Sequence, residues 1–319
     1  MDILVIGCGV SGLTTGLRLL QAGHTVRIWA RDLPPHTTSN IAAAIWFPYK
    51  AYPIDRVTDW GKMAFQKFQE LQFVEGSGIL ASNVIEFKPV ASPDPWWVTA
   101  VDGFRHARAD ELPAGYADGF VFTAPVIDTS IYLDYLMYTF LAHGGHIEQR
   151  TMNDLAEAFA RSEVVVNCSG LGARQLVADQ NLYAARGQVV RIKHNGFRQV
   201  LMDEEGPNQL AYIVPRTHDI ILGGTFEEHN ESLVPDPEQT QAILRHCASL
   251  APEFASIAPE DILDVYCGLR PVRSTVRVEA EQVAPDRLLL HNYGHGGAGI
   301  TLSWGCAEEV VELLEKMTQ

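Results

Sequence analysis

The sequence predicts an α/β protein in two parts, a parallel-sheet domain split over several chain segments and a second domain built on a mixed or antiparallel β-sheet. Three observations predict it. The first thirty residues read as strand, glycine turn, helix and strand. Val164-Val165-Val166 is a strand apolar on both faces, the mark of a parallel sheet covered by helices. Residues 186–267 alternate as antiparallel strands do. A chain of 319 residues is long enough for two cores.

Taken in order, Ile3 to Ile6 is the buried first strand. The helix after the turn carries apolar positions Leu13, Leu17 and Leu20 and stops at Gly23, and a second strand runs through Val26, Ile28 and Trp29. From Pro34 to about Pro125 the pattern breaks into short segments rich in Pro, Trp and polar turn residues, which marks a different domain. Helical period returns at Ile131 to Leu141, behind a cap at Asp128 or Thr129. Asp154 to Arg161 reads as a helix, and the strand at Val164 ends in the turn Asn167-Cys168-Ser169-Gly170. Tyr212-Ile213-Val214 and Ile220-Ile221-Leu222, joined by Arg216 to Asp219, read as an antiparallel pair. Leu288 to Leu290 is a short buried strand and Ile300 to Lys316 a terminal helix.

Composition narrows the function classes. The formal net charge of −15 argues against nucleic acid or an anionic membrane as partner, because both need a cationic face. An anionic substrate must therefore be caught by a few placed arginines. Cys8, Cys168, Cys247, Cys267 and Cys306 show no C-x-x-C spacing, which suits buried thiols in a reducing compartment and offers no metal site. No basic segment precedes the apolar run at Ile3, no run is long enough to span a bilayer, and the last residues carry no Ser-Lys-Leu address, so a cytoplasmic location is expected.

Gly7-Cys8-Gly9-Val10-Ser11-Gly12 fits G-x-G-x-x-G directly after a strand and at the opening of a helix, the context that makes the motif a Rossmann-like dinucleotide site. The first glycine permits the turn, the second lets backbone approach a pyrophosphate, and the third lets helix pack on strand. Asp32 lies twenty residues after Gly12, near where an acid binds a ribose hydroxyl, with Arg31 beside it at the strand end; either can make that contact, or both can be solvated. FAD is favoured over NAD, because the motif stands at the N-terminus and the rest of the site is spread over distant segments. A nicotinamide-dependent dehydrogenase would share the first turn and leave the C-terminal glycine cluster unexplained.

Eight segments, in order, resemble the D-amino acid oxidase family: Val5 to Leu13, Arg31 to Pro34, Ile45 to Pro48, Val166 to Gly170, Arg186 to Gln188, Tyr212 to Pro215, Gly268 to Arg273, and His291 to Ala307, the last being the most specific. The resemblance implies a bilobal flavoprotein, with residues 1–50, 126–185 and 270–319 forming the FAD-binding domain and residues 51–125 and 186–269 the substrate-binding domain. It implies oxidation of a D-amino acid to the 2-oxo acid, ammonia and hydrogen peroxide, by hydride transfer from Cα to the flavin, with molecular oxygen as acceptor and no general base among the side chains. A homodimer is the family habit.

From the residues alone, Arg270, Arg273 and Arg277 are three candidates for a bound carboxylate; the resemblance implies Arg277, whose planar guanidinium suits bidentate capture. It also implies the Tyr212 hydroxyl as a second carboxylate contact and the Gly297 carbonyl as acceptor for the substrate amine. Thr38, Ser39, Ala44 and Ile45 match flavin contacts, although the Ala44 position is usually glycine. Met152 and Ser169 match contacts nearer the adenine and pyrophosphate. Gly296, Gly297, Gly299, Ile300 and Thr301 form the helix start whose positive end faces the flavin.

Three departures bear on the substrate. Asn208 stands where mammalian members carry a lid tyrosine, Ala298 where some relatives have tyrosine, and Phe226 where D-aspartate oxidases have the arginine for a second carboxylate. Neutral D-amino acids are therefore expected, with Arg216 close enough in sequence to serve an acidic substrate instead. A D-aspartate oxidase or a glycine/sarcosine-type oxidase is the neighbouring alternative.

Overall fold

Apolar residues at Ile3 to Ile6 have nowhere to go but between two layers of helix, and all four are buried in the computed structural model, which describes residues 1–208 and 210–318. Along the chain lie β1 (Asp2–Ile6), α1 (Val10–Gln21), β2 (Thr25–Ala30), α2 (Thr38–Ile41), α3 (Ile54–Leu71), β3 (Ile79–Lys88), β4 (Asp102–His106), β5 (Asp118–Ile127), α4 (Thr129–Ala142), β6 (His146–Gln149) and α5 (Leu155–Phe159). There follow β7 (Val164–Asn167), α6 (Ala173–Leu176), β8 (Tyr183–Lys193), β9 (Val200–Asp203), β10 (Ala211–Pro215), β11 (Asp219–Gly223), β12 (Glu227–Glu228), α7 (Pro237–Leu250), β13 (Ile262–Ala284), β14 (Arg287–His295) and α8 (Gly299–Thr318).

These strands make one sheet in the order β4-β5-β3-β9-β10-β11-β8-β13-β14-β7-β1-β2-β6, with β12 against β8. From β14 through β7, β1 and β2 to β6 every pairing is parallel. From β4 to β8 the pairings are antiparallel except β3 with β9. β13 unites the two halves, pairing with β8 up to Val272 and with β14 from there to Ala284. The predicted α/β class with a mixed second sheet is thus found, the two sheets being fused edge to edge.

The parallel half buries one face under α1, α4 and α8 and the other under α5, where Leu4, Ile6, Trp29, Val165 and Leu289 meet Leu155 and Phe159. Asp128 is the cap of α4, accepting from Ser130 N at 3.2 Å. The predicted hairpin pairs Tyr212 with Gly223 and Ile213 with Leu222.

Two elements differ from the sequence expectation. Between Pro34 and Pro125, where no helix was expected, stands α3, an eighteen-residue helix that buries Val57, Trp60, Gly61, Ala64, Phe65, Phe68 and Leu71 at i, i+3, i+4 spacing. It crosses α8 so closely that a Cβ on Gly305 would lie 2.3 Å from Trp60 Cα. The other is β14, which extends over nine residues to His295 rather than three, because it pairs with β13 on one side and β7 on the other and so delivers the chain directly into the glycine turn before α8.

Candidate active site

β1 and β7 are parallel neighbours, Ile6 opposite Asn167, so the turns leaving their ends meet. Gly7 takes φ +112°, and a Cβ there would lie 2.4 Å from the Cys168 carbonyl oxygen; a Cβ on Gly12 would lie 1.9 Å from the Gly7 carbonyl oxygen. Only hydrogen fits at either position. α1 is therefore pressed against the turn: the N-cap Gly9 offers no side-chain cap, and Ser39 Oγ accepts from Val10 N at 3.0 Å.

A cavity of about 790 Å³ begins here and runs to the antiparallel half. Near the turn it is lined by Gly7, Gly9, Val10, Ser11, Arg31, Asp32, Met152 and Ser169, further along by Thr38, Ser39, Ala44 and Ile45, and at α8 by Gly296, Gly297, Gly299, Ile300 and Thr301. Gly12 is the one candidate cofactor residue that is not part of the wall; it acts behind it, as the packing glycine. Arg31 and Asp32 both line the cavity and are ion-paired at 2.7 Å. Ser169 donates from its N and Oγ to Asn167 Oδ1 at 3.1 and 2.6 Å, which fixes the second turn.

The middle of the wall is held by backbone exchange. Ala44 N donates to Ile127 O at 3.1 Å and Ile127 N to Ala44 O at 2.8 Å, while Thr301 Oγ1 accepts from Phe47 N at 3.1 Å and donates to Phe47 O at 3.0 Å. Trp46, buried behind this segment, donates Nε1 to Gly61 O at 2.9 Å, so α3 supports the wall from outside. At the start of α8, His295 is neutral, its pKa pushed down to about 4 by burial, and donates Nε2 to Asn292 Oδ1 at 3.0 Å; Asn292 Nδ2 in turn donates to Thr15 Oγ1 of α1 at 2.9 Å. His295 therefore ties the glycine turn to α1.

Beyond that wall Tyr212 and Arg270 meet. Tyr212 also lines the cavity, and its ring lies across β11 where Gly223 and Gly224 leave room; a Cβ on Gly223 would lie 2.0 Å from Tyr212 Cζ. Burial raises the Tyr212 pKa, with Arg270 opposing, so the phenol keeps its proton and can donate. The Arg270 guanidinium fills the space left by Gly187, where a Cβ would lie 2.1 Å from Nη1, and Nη1 donates to Thr225 O at 3.0 Å. Among the described residues no carboxylate pairs with it. Gly297 stands beside Arg270, a Cβ there falling 3.7 Å from Arg270 Cδ and 2.7 Å from Tyr49 Cδ1.

Arg277 is elsewhere, and this corrects the sequence reading. It lies outside the cavity, donating from Nε to Glu279 Oε1 at 2.5 Å and from Nη1 to the Tyr293 hydroxyl at 2.7 Å, with Glu281 at 3.7 Å. β13 makes an irregular step between Val272 and Arg277, and the residues after it pair with β14. Arg273 is occupied too, by Asp179 at 2.9 Å. Arg216 is buried against Asp219, at 2.7 and 2.8 Å, and lines no part of the cavity. Tyr49, Met202 and Glu204 complete the far end of the cavity and had no signal in the sequence, standing in a proline-rich break and at a strand end.

The donor set fits a dinucleotide: a glycine turn that a Cβ would fill, two helix starts on the cavity wall, and an apolar middle. Among the described residues no three His, Cys, Asp or Glu side chains gather as a metal site, and no helix is long and apolar enough to cross a membrane.

These features define a flavin-binding α/β protein, and comparison with known proteins agrees: the chain belongs to the FAD dependent oxidoreductase family, whose pattern matches residues 2–313. Within it, the chain is 44% identical over 311 residues to the D-amino-acid oxidase of Rubrobacter xylanophilus, covering 97% of this chain and 94% of that one. It is 43% identical to the D-amino-acid oxidase of Dictyostelium discoideum, covering 99% and 92%. The fold matches the crystal structure of glycine oxidase from Geobacillus kaustophilus with a TM-score of 0.81 at 17% identity, covering 99% of this chain and 94% of that one.

Proposed function

We propose that this protein is an FAD-dependent D-amino-acid oxidase. The observation that carries the reading is Arg270, without a carboxylate partner among the described residues, beside Tyr212 and Gly297 at the end of a cavity that starts in the glycine turn. When bound, FAD supplies the redox chemistry, taking two electrons from the substrate α-carbon and passing them to oxygen to give hydrogen peroxide.

The chain's own residues bind and orient. Arg270 engages the α-carboxylate through the fork of its guanidinium, and the Tyr212 hydroxyl donates to the same group. The Gly297 carbonyl accepts from the α-amine. Three fixed points hold one enantiomer's α-hydrogen toward the cofactor-lined wall, which is the work of positioning rather than proton transfer. With FAD bound, the positive backbone ends at the first turns of α1 and α8, both on the cavity wall, would favour its anionic groups. Among the residues that line the cavity, Ser11, Ser39 and Ser169 would hold the pyrophosphate of FAD and Ala44, Ile45, Ile300 and Thr301 its ring.

Phe226, in van der Waals range of Tyr49 with ring centroids 6.0 Å apart, supports a pocket with no arginine for a second carboxylate, and Arg216 is spent on Asp219. This favours neutral over acidic D-amino acids. The five cysteines are buried and free, which supports a reducing, cytoplasmic setting; the homodimer and the two-domain partition rest on the family resemblance.

Anaerobic mixing of the yellow protein with D-alanine and then L-alanine tests the reading. Bleaching of the flavin absorbance by the D-isomer alone, reversed by air with peroxide release, is the expected outcome. Bleaching by neither isomer across a panel of D-amino acids would remove it.

A further inference from the structure

β8 pairs with β11 as far as Val189 opposite Gly223, and with β12 from Arg186 opposite Glu227. Between these pairs Gly187 and Gln188 stand opposite Gly224, Thr225 and Phe226, so the chain after β11 bulges away from β8. A bulge leaves ladder groups without backbone partners. Here a side chain takes over: Gln188 N donates to Thr225 Oγ1 at 2.8 Å. The β8 end of that bond is fixed. Gln188 is fully buried, its Nε2 donating to Asp236 O at 2.8 Å and to Thr240 Oγ1 at 2.9 Å, while its Oε1 accepts from Asp236 N and from Arg186 Nη2, each at 2.7 Å.

The segment from Gly223 to Phe226 serves both groups assigned to the carboxylate. Gly223 and Gly224 leave room for the Tyr212 ring, where Cβ atoms would lie 2.0 Å from Cζ and 2.6 Å from Cε1. Thr225 O accepts from Arg270 Nη1 at 3.0 Å, and the Phe226 ring centroid lies 5.6 Å from Arg270 Cζ. Among the described residues that carbonyl is the one hydrogen-bond acceptor the Arg270 guanidinium has. The direction of the guanidinium fork is therefore set by the position of Thr225 O, and the position of Thr225 is set by the bond from its hydroxyl to β8.

We propose that Thr225 is a positioning residue, whose hydroxyl stands in for the missing ladder bond at the bulge and so holds the carbonyl that aims Arg270 at the substrate carboxylate. This rests on the oxidase reading above. Without the hydroxyl, Gln188 N loses its acceptor and the bulge is free to shift. Arg270 then keeps its charge but not its direction. Two-pronged capture of a carboxylate depends on direction, and a displacement of about 1 Å is enough to weaken it.

The test uses the FAD-loaded protein and two variants. Thr225→Val keeps the branched shape and removes the acceptor, whereas Thr225→Ser keeps the acceptor and removes a methyl group. Propanoate binding is measured by calorimetric titration, which is independent of turnover, and KM and kcat are measured with D-alanine. In Thr225→Val the propanoate Kd and the KM are each expected to rise about tenfold, about 1.4 kcal/mol, with kcat falling by less. Thr225→Ser is expected to restore both to within about threefold of native. Thr225→Ala, which places no methyl group against Gln188 N, carries the same expectation as Thr225→Val and replaces it if that variant does not fold. A lower urea midpoint with propanoate affinity intact, or equal losses in the hydroxyl-free variant and in Thr225→Ser, overturns the role of Thr225 and leaves the oxidase standing. A native protein that binds no propanoate, and whose flavin no D-amino acid reduces, overturns the oxidase reading and this role with it.

Discussion

Arg270 and Arg277 lie seven residues apart on one strand, and the structure treats them in opposite ways. Arg277 is saturated by Glu279, the Tyr293 hydroxyl and the more distant Glu281. Arg270 has a single backbone carbonyl, a guanidinium-sized space made by Gly187, and no anionic partner among the described residues. A binding arginine is recognised by what the protein withholds from it. The protein spends acids to fix Arg277 in place and leaves Arg270 for a ligand's acid.

The sharpest way to break this contrast is to remove each guanidinium in turn. Arg270→Gln takes away both charge and fork where a buried carboxylate is to be held, and kcat/KM for D-alanine is expected to fall on the order of a thousandfold, about 4 kcal/mol. Arg277→Gln should leave kcat/KM within about threefold of native while lowering unfolding stability by about 1–2 kcal/mol, through loss of charge-assisted hydrogen bonds at a half-buried site. Steady-state kinetics and urea unfolding on both variants decide it. If Arg277→Gln were the catalytically crippled one, the assignment of the two arginines would be reversed.

Tyr212→Phe sharpens the same contrast on a smaller scale. It removes one hydroxyl donor to the carboxylate and leaves Arg270 in place, so a loss of about tenfold in kcat/KM is expected, with a matching loss in the affinity of a simple carboxylate inhibitor. The ring itself still fills the space left by Gly223, so stability should change little. An unchanged inhibitor affinity would show that the hydroxyl does not reach the carboxylate.

The same contrast explains what could be read from the chain alone. The cofactor wall was legible because glycine placement is a local demand: Gly7 and Gly12 are required by contacts of 2.4 and 1.9 Å to backbone that any strand-turn-helix of this kind brings together. The parallel sheet was legible from Val164 to Val166, buried on both faces. Which arginine of three faces the ligand was not, because it depends on the irregular step in β13 after Val272 and on Gly187 of a neighbouring strand, neither of which leaves a periodic mark. The helix α3 did carry a signal, with Val57, Trp60, Gly61, Ala64, Phe65 and Phe68 at helical spacing, masked by the prolines and tryptophans on either side of it.

The smallest expected effect concerns the acid that anchors the structural side of the comparison. Asp179 takes hydrogen bonds from Tyr293 Oη at 2.8 Å, Asn181 N at 3.0 Å and Arg273 Nε at 2.9 Å, and Arg277 Nη1 lies 4.0 Å away. Burial alone would raise its pKa, but the Tyr293, Asn181 and Arg273 donors outweigh it and the net shift is downward. A carboxyl whose folded pKa is depressed contributes stability that is fully present above its unfolded pKa, about 3.9, and is lost as pH falls through the folded value. The stability difference between native and Asp179→Asn is therefore expected to be constant from about pH 6 to 8 and to shrink as the pH is lowered below about 4. Urea unfolding at a series of pH values measures it. A difference that stayed level down to pH 3 would mean that Asp179 is held by packing and neutral hydrogen bonds, and that the network around Arg277 is not the charged anchor described above.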